Sequence, residues 1–205
     1  MNILYDDDIV FDFYSRSDNS PYPGEGINEK MNEVYKAQYI ELSQIPEWRK
    51  KLSNFWIQTF TIDDLKWASV EHYFQACHFK INNPDFYYLF SLNSGSELSK
   101  DPVFAKKAGY KKPQKYRGVL SRDKNIKIDE TFYTDNNHIK TMYKAQYEKF
   151  TQNTDLCYLL KLTYEAKLQH TVIFYEKSDK NKMSDTEVFD SLMIIRSIIS
   201  SSSKK

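Results

Sequence analysis

The stretch Trp67-Ala68-Ser69-Val70-Glu71-His72-Tyr73-Phe74-Gln75-Ala76-Cys77-His78-Phe79 carries the clearest structural signal in the chain. Ser69 is a residue type that favours the N-cap of a helix. Behind it, Val70, Phe74 and Cys77 recur at the spacing of one helix face. The stretch therefore predicts a helix that begins after Ser69, buries this face and ends before the Asn82-Asn83-Pro84 breaker.

A second face of the same helix carries chemistry. Glu71, Gln75 and His78 recur at the same spacing, so their side chains align along one side. Glu71 lies in the first turn, where the helix dipole favours an anion. An ionised carboxylate there suits a base, a nucleophile or a stabiliser of positive charge. The alternative is that Glu71 only complements the helix N-terminus on a solvated face.

The rest of the chain predicts a mainly helical α+β fold. The pattern favours one domain over residues 9–199, with a polar insert at about 23–46 and a disordered tail at 200–205. The predicted strands are 9–14, 55–62 and 171–175. The other predicted helices are 48–52, 85–91, 101–108, 138–151, 155–167 and 187–199. Loops are predicted at 17–26, 111–117 and 176–186.

Composition excludes several functional classes. The 205 residues include 16 Tyr, 13 Phe and 3 Trp, so aromatic side chains must supply much of the core. The net charge of +1 argues against a protein that holds polynucleotide mainly by neutralising phosphates. Neither GxGxxG nor GxxxxGK[ST] occurs, which excludes Rossmann and P-loop nucleotide sites at the level of motifs.

Metal ligation has weak support in the sequence. His72 and His78 are six residues apart, which does not bring both rings to one metal on a regular helix, and no His-x-x-x-His or Cys-x-x-Cys motif occurs. We expect no metal and no cofactor. The basic-aromatic segment 111–117 is compatible with a phosphate or base contact, or with a solvated loop.

The expected compartment is the cytoplasm. Residues 1–8 are acidic where a signal peptide would be basic, and no apolar run approaches the roughly 18 residues of a membrane span. The two cysteines, Cys77 and Cys157, lie far apart, so no disulfide framework is expected. Cys77 falls on the apolar helix face and is interpreted as a core thiol.

The stretch 67–79 resembles the signature of the NADAR family, the YbiA-like N-glycosidases. Further segments are similar to parts of that family and occur in its order, so that the resemblance spans about 11–197. They are 13–14, 52–55, 105–109, 142–152, 159–168 and 192–196. His78 stands where the family usually has a lysine. Asp129 with Phe132 or Tyr133 is the nearest equivalent of its Asp-Trp element.

The resemblance implies a metal-independent hydrolase of the bond between ribose C1′ and a base nitrogen. Its implied substrates are ADP-ribose attached to guanine, free or in nucleic acid, or phosphorylated ribosylamino-pyrimidines of riboflavin synthesis. A module that binds ADP-ribose without turnover, or an interaction protein that keeps the motif as core, are the alternatives. No membrane and no stable protein partner are expected.

The resemblance also implies site residues. Glu71, His78 and Asp129 are the expected catalytic residues, with Glu71 as the essential carboxylate. Asn54 is expected to bond a ribose hydroxyl or a phosphate, and aromatic rings are expected to sandwich the base. The expected substrate-binding residues are Tyr14, Asn54, Phe55, Trp67, Tyr73, Gln75, Lys80 and Phe132.

Overall fold

The computed structural model describes residues 4–17, 22–175 and 182–202. Its helices are α1 (Ile40–Gln44), α2 (Trp48–Leu52), α3 (Val70–Cys77), α4 (Pro84–Tyr88), α5 (Pro102–Gly109), α6 (Asn137–Gln152), α7 (Thr154–Lys161) and α8 (Asp190–Ser201). Its strands are β1 (Asp6–Phe13), β2 (Phe60–Ile62), β3 (Leu65–Trp67), β4 (Lys115–Tyr116), β5 (Val119–Leu120), β6 (Ala166–Tyr175) and β7 (Lys182–Val188). Short 3₁₀ helices lie at Glu33–Tyr39, Leu92–Ser94, Glu97–Ser99 and Glu130–Tyr133. The predicted mainly helical α+β fold with a few short strands is confirmed.

The chain packs as two compact units. The first unit comprises Met1–Ser53 and Thr154–Lys205, and the second unit comprises Asn54–Asn153. None of the helices in the described part of the chain is long and apolar enough to span a membrane.

The first unit is organised by a sheet in the order β1-β6-β7. β1 runs parallel to β6, with Phe13 opposite His170, and β6 runs antiparallel to β7. The apolar end of β1 is buried, as expected for a β-branched and aromatic run. The polar insert contributes to this core, because Tyr39 is buried with its ring centroid 4.9 Å from that of Phe11.

Glu29 anchors the polar insert through a saturated network. Its two carboxylate oxygens accept from Arg49 Nε at 2.9 Å and Arg49 Nη2 at 2.8 Å. Further hydrogen bonds come from the backbone N–H groups of Asp12, Gly24 and Gly26. A buried carboxylate is stable only when donors of this kind replace water, and here they fix 22–30 against β1 and α2.

The second unit places α3 between α5 and α6. β2 and β3 form a hairpin whose turn residues, Asp63 and Asp64, both have positive φ, as a two-residue hairpin turn requires. Aromatic rings fill most of the core, as the composition predicts. The buried residues are Phe60, Ile62, Trp67, Val70, Tyr73, Ala76, Phe79, Phe86, Tyr87, Phe90, Leu98, Ala105, Ala108 and Ala145.

Several predicted boundaries were wrong. Of the predicted strand 55–62 only Phe60–Ile62 pairs, because β3 offers three residues as a partner. The predicted helix 155–167 ends at Lys161, since Tyr164 takes a positive φ of 41° and the chain from Ala166 pairs with β1. Pairing across the sheet thus overrides the local helical pattern.

The C-terminal predictions need similar correction. The predicted loop 176–186 becomes β7 from Lys182, while 176–181 lie outside the described residues. The last helix begins at Asp190 rather than at 187 and continues to Ser201 into the predicted tail, of which 203–205 are not described. Residues 18–21 of the predicted loop 17–26 are likewise outside the described part.

Candidate functional site

The start of α3 places Glu71 inside the second unit. Ser69 caps the helix as predicted, its hydroxyl accepting from the His72 N–H at 3.4 Å. The Glu71 N–H donates to the carbonyl of Asn54 at 3.0 Å, so the entering chain lies against the first turn. As a result Glu71 is only 5% exposed, and the solvated-face alternative was wrong.

Burial sets the chemistry of Glu71. Desolvation raises the pKa of this carboxyl above its ordinary value, opposed by the charge of Lys106 and by a hydrogen bond from Gln75. Gln75 Nε2 donates to Glu71 Oε1 at 2.8 Å, as the i, i+4 spacing predicts. The helix dipole alone would favour the ionised form, but the low-polarity surroundings act more strongly in the opposite direction.

Gly109, the last residue of α5, shapes the position of Gln75. A Cβ atom at Gly109 would lie 1.7 Å from Gln75 Oε1, so the amide fits only because the glycine has no side chain. Gln75 Oε1 is buried and has no hydrogen-bond partner among the described residues. The amide therefore donates to Glu71 on one side and leaves an unused acceptor on the other.

Gly109 also fixes the imidazole of His78. Its carbonyl oxygen lies 2.9 Å from His78 Nδ1, and because a carbonyl only accepts, Nδ1 carries the hydrogen. Burial lowers the pKa of His78 to about 4, so the ring is neutral near pH 7. His78 Nε2 is then an acceptor, and the hydroxyl of Tyr133 lies 3.3 Å from it.

A cavity of about 430 Å³ opens beside these groups. Its lining residues are Gln75, His78, Gly109, Tyr110, Lys111, Ile128, Glu130 and Tyr133. Gln75 and His78 were predicted as site residues, and Glu71 lies one hydrogen bond behind Gln75. The structure therefore brings these three together, as their spacing on α3 predicts.

The other lining residues were not predicted as part of the site. Lys111 belongs to the basic segment and Gly109 is one of only 5 glycines, so both carried a weak signal. The sequence indicates Tyr133 only as one of two possible equivalents, with Phe132, of a family residue. Ile128 and Glu130 had no signal in the sequence, because a loop and the start of the 3₁₀ helix Glu130–Tyr133 bring them to the cavity.

Two predicted stacking residues are core residues instead. Trp67 is fully buried, its Nε1 donates to the Ile62 carbonyl at 3.1 Å, and its ring contacts Tyr73 at a centroid distance of 5.1 Å. Tyr73 is buried too, with its hydroxyl 3.4 Å from Asp63 Oδ2. Neither ring faces the cavity, so the expected base sandwich does not fit their positions.

Asn54 and Phe55 support the site from behind. The side chain of Asn54 accepts from Gln146 Nε2 at 3.0 Å and donates to the sulfur of Met142 at 3.3 Å. These bonds occupy the amide that was expected to bind ribose. The Lys106 ammonium lies 5.3 Å from the centroid of the Phe55 ring, which places this cation near Glu71.

Asp129 and Phe132 position a neighbour rather than face the cavity. The Asp129 carboxylate caps a 3₁₀ helix by accepting from the Thr131 N–H at 2.9 Å and the Thr131 hydroxyl at 2.7 Å. Phe132 is buried with its ring 4.4 Å from that of His78. The next residue, Tyr133, is the aromatic side chain that reaches the cavity.

Neither Lys80 nor Tyr14 is among the residues that line the cavity. The Lys80 ammonium pairs with Asp63 Oδ2 at 2.7 Å, and Asp63 holds Lys144 on its other oxygen. The predicted substrate contact of Lys80 therefore does not fit its position. Tyr14 belongs to the first unit, where its N–H donates to the Ser17 hydroxyl at the end of β1.

Comparison with known proteins supports the fold. The chain is similar to the NMR structure of the E. coli protein YbiA, with a TM-score of 0.54 and 18% identity, over 100% of this chain and 93% of that chain. At this identity the likeness shows a common fold, and the YbiA-like fold implied by the sequence resemblance is confirmed. No family model matches the chain. A search of curated proteins finds no match.

Proposed function

We propose that the protein is a metal-independent N-glycosidase that hydrolyses the bond between ribose C1′ and a nitrogen of an ADP-ribosylated guanine or another ribosylated base. One observation carries the proposal. A buried carboxylate, Glu71, accepts a hydrogen bond from Gln75, and Gln75 lines a cavity that also presents a neutral imidazole and a phenol. The YbiA-like fold adds to this support.

The reaction requires charge stabilisation and a proton acceptor. As the C1′–N bond breaks, positive charge develops on the sugar, and a nearby carboxylate lowers the energy of that state. Water attacks C1′ as the C1′–N bond breaks and loses one proton to Glu71, so the sugar gains a hydroxyl. The electron pair of the broken bond stays on the base nitrogen, which takes up that proton and leaves Glu71 ionised again. The raised pKa of Glu71 suits this exchange, because a general base works best when its pKa approaches the working pH.

The cavity suits a nucleoside-sized group. Its volume of about 430 Å³ lies within the range of small-molecule sites. Tyr110 and Tyr133 offer ring faces for a flat base, and Lys111 supplies an exposed cation for a phosphate. Two aromatic rings and one cation in the same lining favour a ligand with a planar end and an anionic end.

Hydrolysis by wild type and Glu71→Gln, without metal and with EDTA, tests the proposal. The substrates are ADP-ribosyl-guanosine, the same group in an oligonucleotide, and a ribosylamino-pyrimidine phosphate. We expect wild type to release base and Glu71→Gln to lose at least about 100-fold in rate, since an essential carboxylate contributes several kcal/mol. Glu97→Gln, which changes an exposed carboxylate of the same unit, is the matched control.

A second candidate is a module that binds ADP-ribose without turnover. The observation in its favour is that Gln75, and not Glu71, lines the cavity, so the amide separates the carboxylate from a ligand. Binding of ADP-ribose in calorimetry, with no release of base from any of the three substrates, would establish this candidate and exclude the glycosidase.

A further inference from the structure

We propose that Tyr133 selects ligands that present a hydrogen-bond donor, because His78 and Gly109 fix its hydroxyl so that the oxygen faces the ligand as an acceptor. The ligand is taken to be a planar base that carries an amino group or a ring N–H. This choice of ligand class rests on the proposed function, whereas the polarity of the hydroxyl follows from two neighbouring groups, the Gly109 carbonyl and the His78 imidazole.

The first step is the carbonyl of Gly109. It accepts from His78 Nδ1 at 2.9 Å, so the hydrogen of the neutral ring lies on Nδ1. The other nitrogen, Nε2, then has a lone pair and no hydrogen. The imidazole is clamped in this orientation, because its ring packs 4.4 Å from the Phe132 ring and 5.4 Å from the Phe74 ring.

The second step is the phenol. The hydroxyl of Tyr133 lies 3.3 Å from His78 Nε2, and since Nε2 accepts, the single hydrogen of the phenol is directed toward it. The remaining hydrogen-bonding capacity of Tyr133 Oη is its lone pairs. Tyr133 is 53% exposed and lines the cavity, so a ligand can reach this oxygen.

One further group on the cavity wall is an acceptor like the Tyr133 oxygen, whereas Lys111 is a donor. Glu130 adds a carboxylate, which accepts when ionised. A ligand edge that carries donors satisfies these acceptors, whereas an edge that carries acceptors leaves them unpaired at a cost.

Binding of matched nucleosides tests the proposal without requiring turnover. Guanosine and inosine differ by one amino group, as do adenosine and purine riboside, and calorimetry gives the dissociation constant of each. We expect wild type to bind the amino-bearing member of at least one pair about tenfold more tightly, the difference made by one good hydrogen bond. Tyr133→Phe keeps the ring and should reduce that ratio to near one.

Two further variants complete the design. His78→Phe retains a ring but removes the acceptor, so the Tyr133 hydroxyl can turn and the ratio should also fall. Tyr88→Phe removes a phenol hydroxyl outside the cavity, where it bonds the Asn93 carbonyl, and should leave the ratio unchanged.

The proposal is wrong if wild type shows no preference in either pair, if none of the four nucleosides binds, or if Tyr133→Phe keeps the wild-type ratio. Failure of the N-glycosidase would instead appear as absent hydrolysis with this binding preference intact, so the two outcomes are distinguishable.

Discussion

Glu29 in the first unit and Glu71 in the second are both buried carboxylates, but their surroundings differ. The Glu29 side chain is 1% exposed and receives two hydrogen bonds from Arg49. Three backbone N–H groups add to these, those of Asp12, Gly24 and Gly26. In the described part of the chain, Glu71 receives one side-chain hydrogen bond, from Gln75. The positive charge of Lys106 adds a longer-range electrostatic attraction.

The difference separates a structural carboxylate from one suited to chemistry. Donors on all sides of Glu29 replace its lost hydration, so the charge holds the surrounding loop and β1 together. Glu71 lacks such compensation, and burial therefore raises its pKa. A carboxyl whose charge is poorly compensated is poised to take up a proton, as a general base must.

The largest effect is expected from Arg49→Met. Removing the guanidinium leaves the Glu29 charge buried without its main partner, and the free energy of unfolding should fall by about 3–5 kcal/mol. Glu71→Gln should change it by less than about 1 kcal/mol, because an amide can still bond to Gln75. Urea unfolding of both variants measures the contrast. Equal losses would remove the distinction between the two carboxylates.

Gly109→Ala should have the next largest effect. The added methyl group would meet Gln75 Oε1 at 1.7 Å, and overpacking of this kind lowers the free energy of unfolding by about 1–3 kcal/mol. The same substitution in a Gln75→Ala background should cost less, because the contacts with Oε1 and Cδ are gone and only the contact with the Cβ of residue 75, at 3.1 Å, remains. A loss of the same size in the double variant would show that the clash with Gln75 is not its cause.

The pH dependence of stability should distinguish Glu71 from an exposed carboxylate. A folded-state pKa raised above the unfolded value contributes stability at low pH, and this contribution is lost as pH rises from about 4.5 through the folded pKa. Wild type should therefore lose stability relative to Glu71→Gln between pH 4 and pH 7. Glu97→Gln should show no such trend in the same series of urea titrations.

The smallest effect is expected at Asp63, a carboxylate held at the surface by Lys80 and Lys144. Both lysines are nearly half exposed, so solvent screens the pairs. Lys80→Met and Lys144→Met should each change the free energy of unfolding by less than about 1 kcal/mol. A loss comparable with that of Arg49→Met would mean that the number of donors and the degree of burial do not determine how much each carboxylate contributes to the free energy of unfolding.

The sequence predicted the elements with strong local patterns. The helix α3 follows from its N-cap Ser69 and its apolar spacing, and the long helix α6 follows from spacing alone. The alignment of Glu71, Gln75 and His78 is also a property of helical spacing, and the structure brings the three side chains together.

The sequence could not predict what covers that face. A polar helix face is normally solvated, but Asn54 and the neighbouring helices bury Glu71, and such contacts have no local signature. The positions of Phe132 and Tyr133 have no local signature either. The 3₁₀ helix capped by Asp129 buries the Phe132 ring against His78 and leaves the Tyr133 ring at the cavity. Residue propensities do not encode which of these two adjacent rings is buried.

Gly109 links positions that lie far apart in the chain. Its missing side chain admits the Gln75 amide, and its carbonyl fixes the His78 ring, so one residue constrains two others more than 30 positions away. Positions 75, 78 and 109 should therefore vary together rather than independently during evolution. Homologues with a side chain at position 109 should carry a shorter residue at position 75. The residues at these three positions can therefore be compared between distant relatives even where overall identity is low.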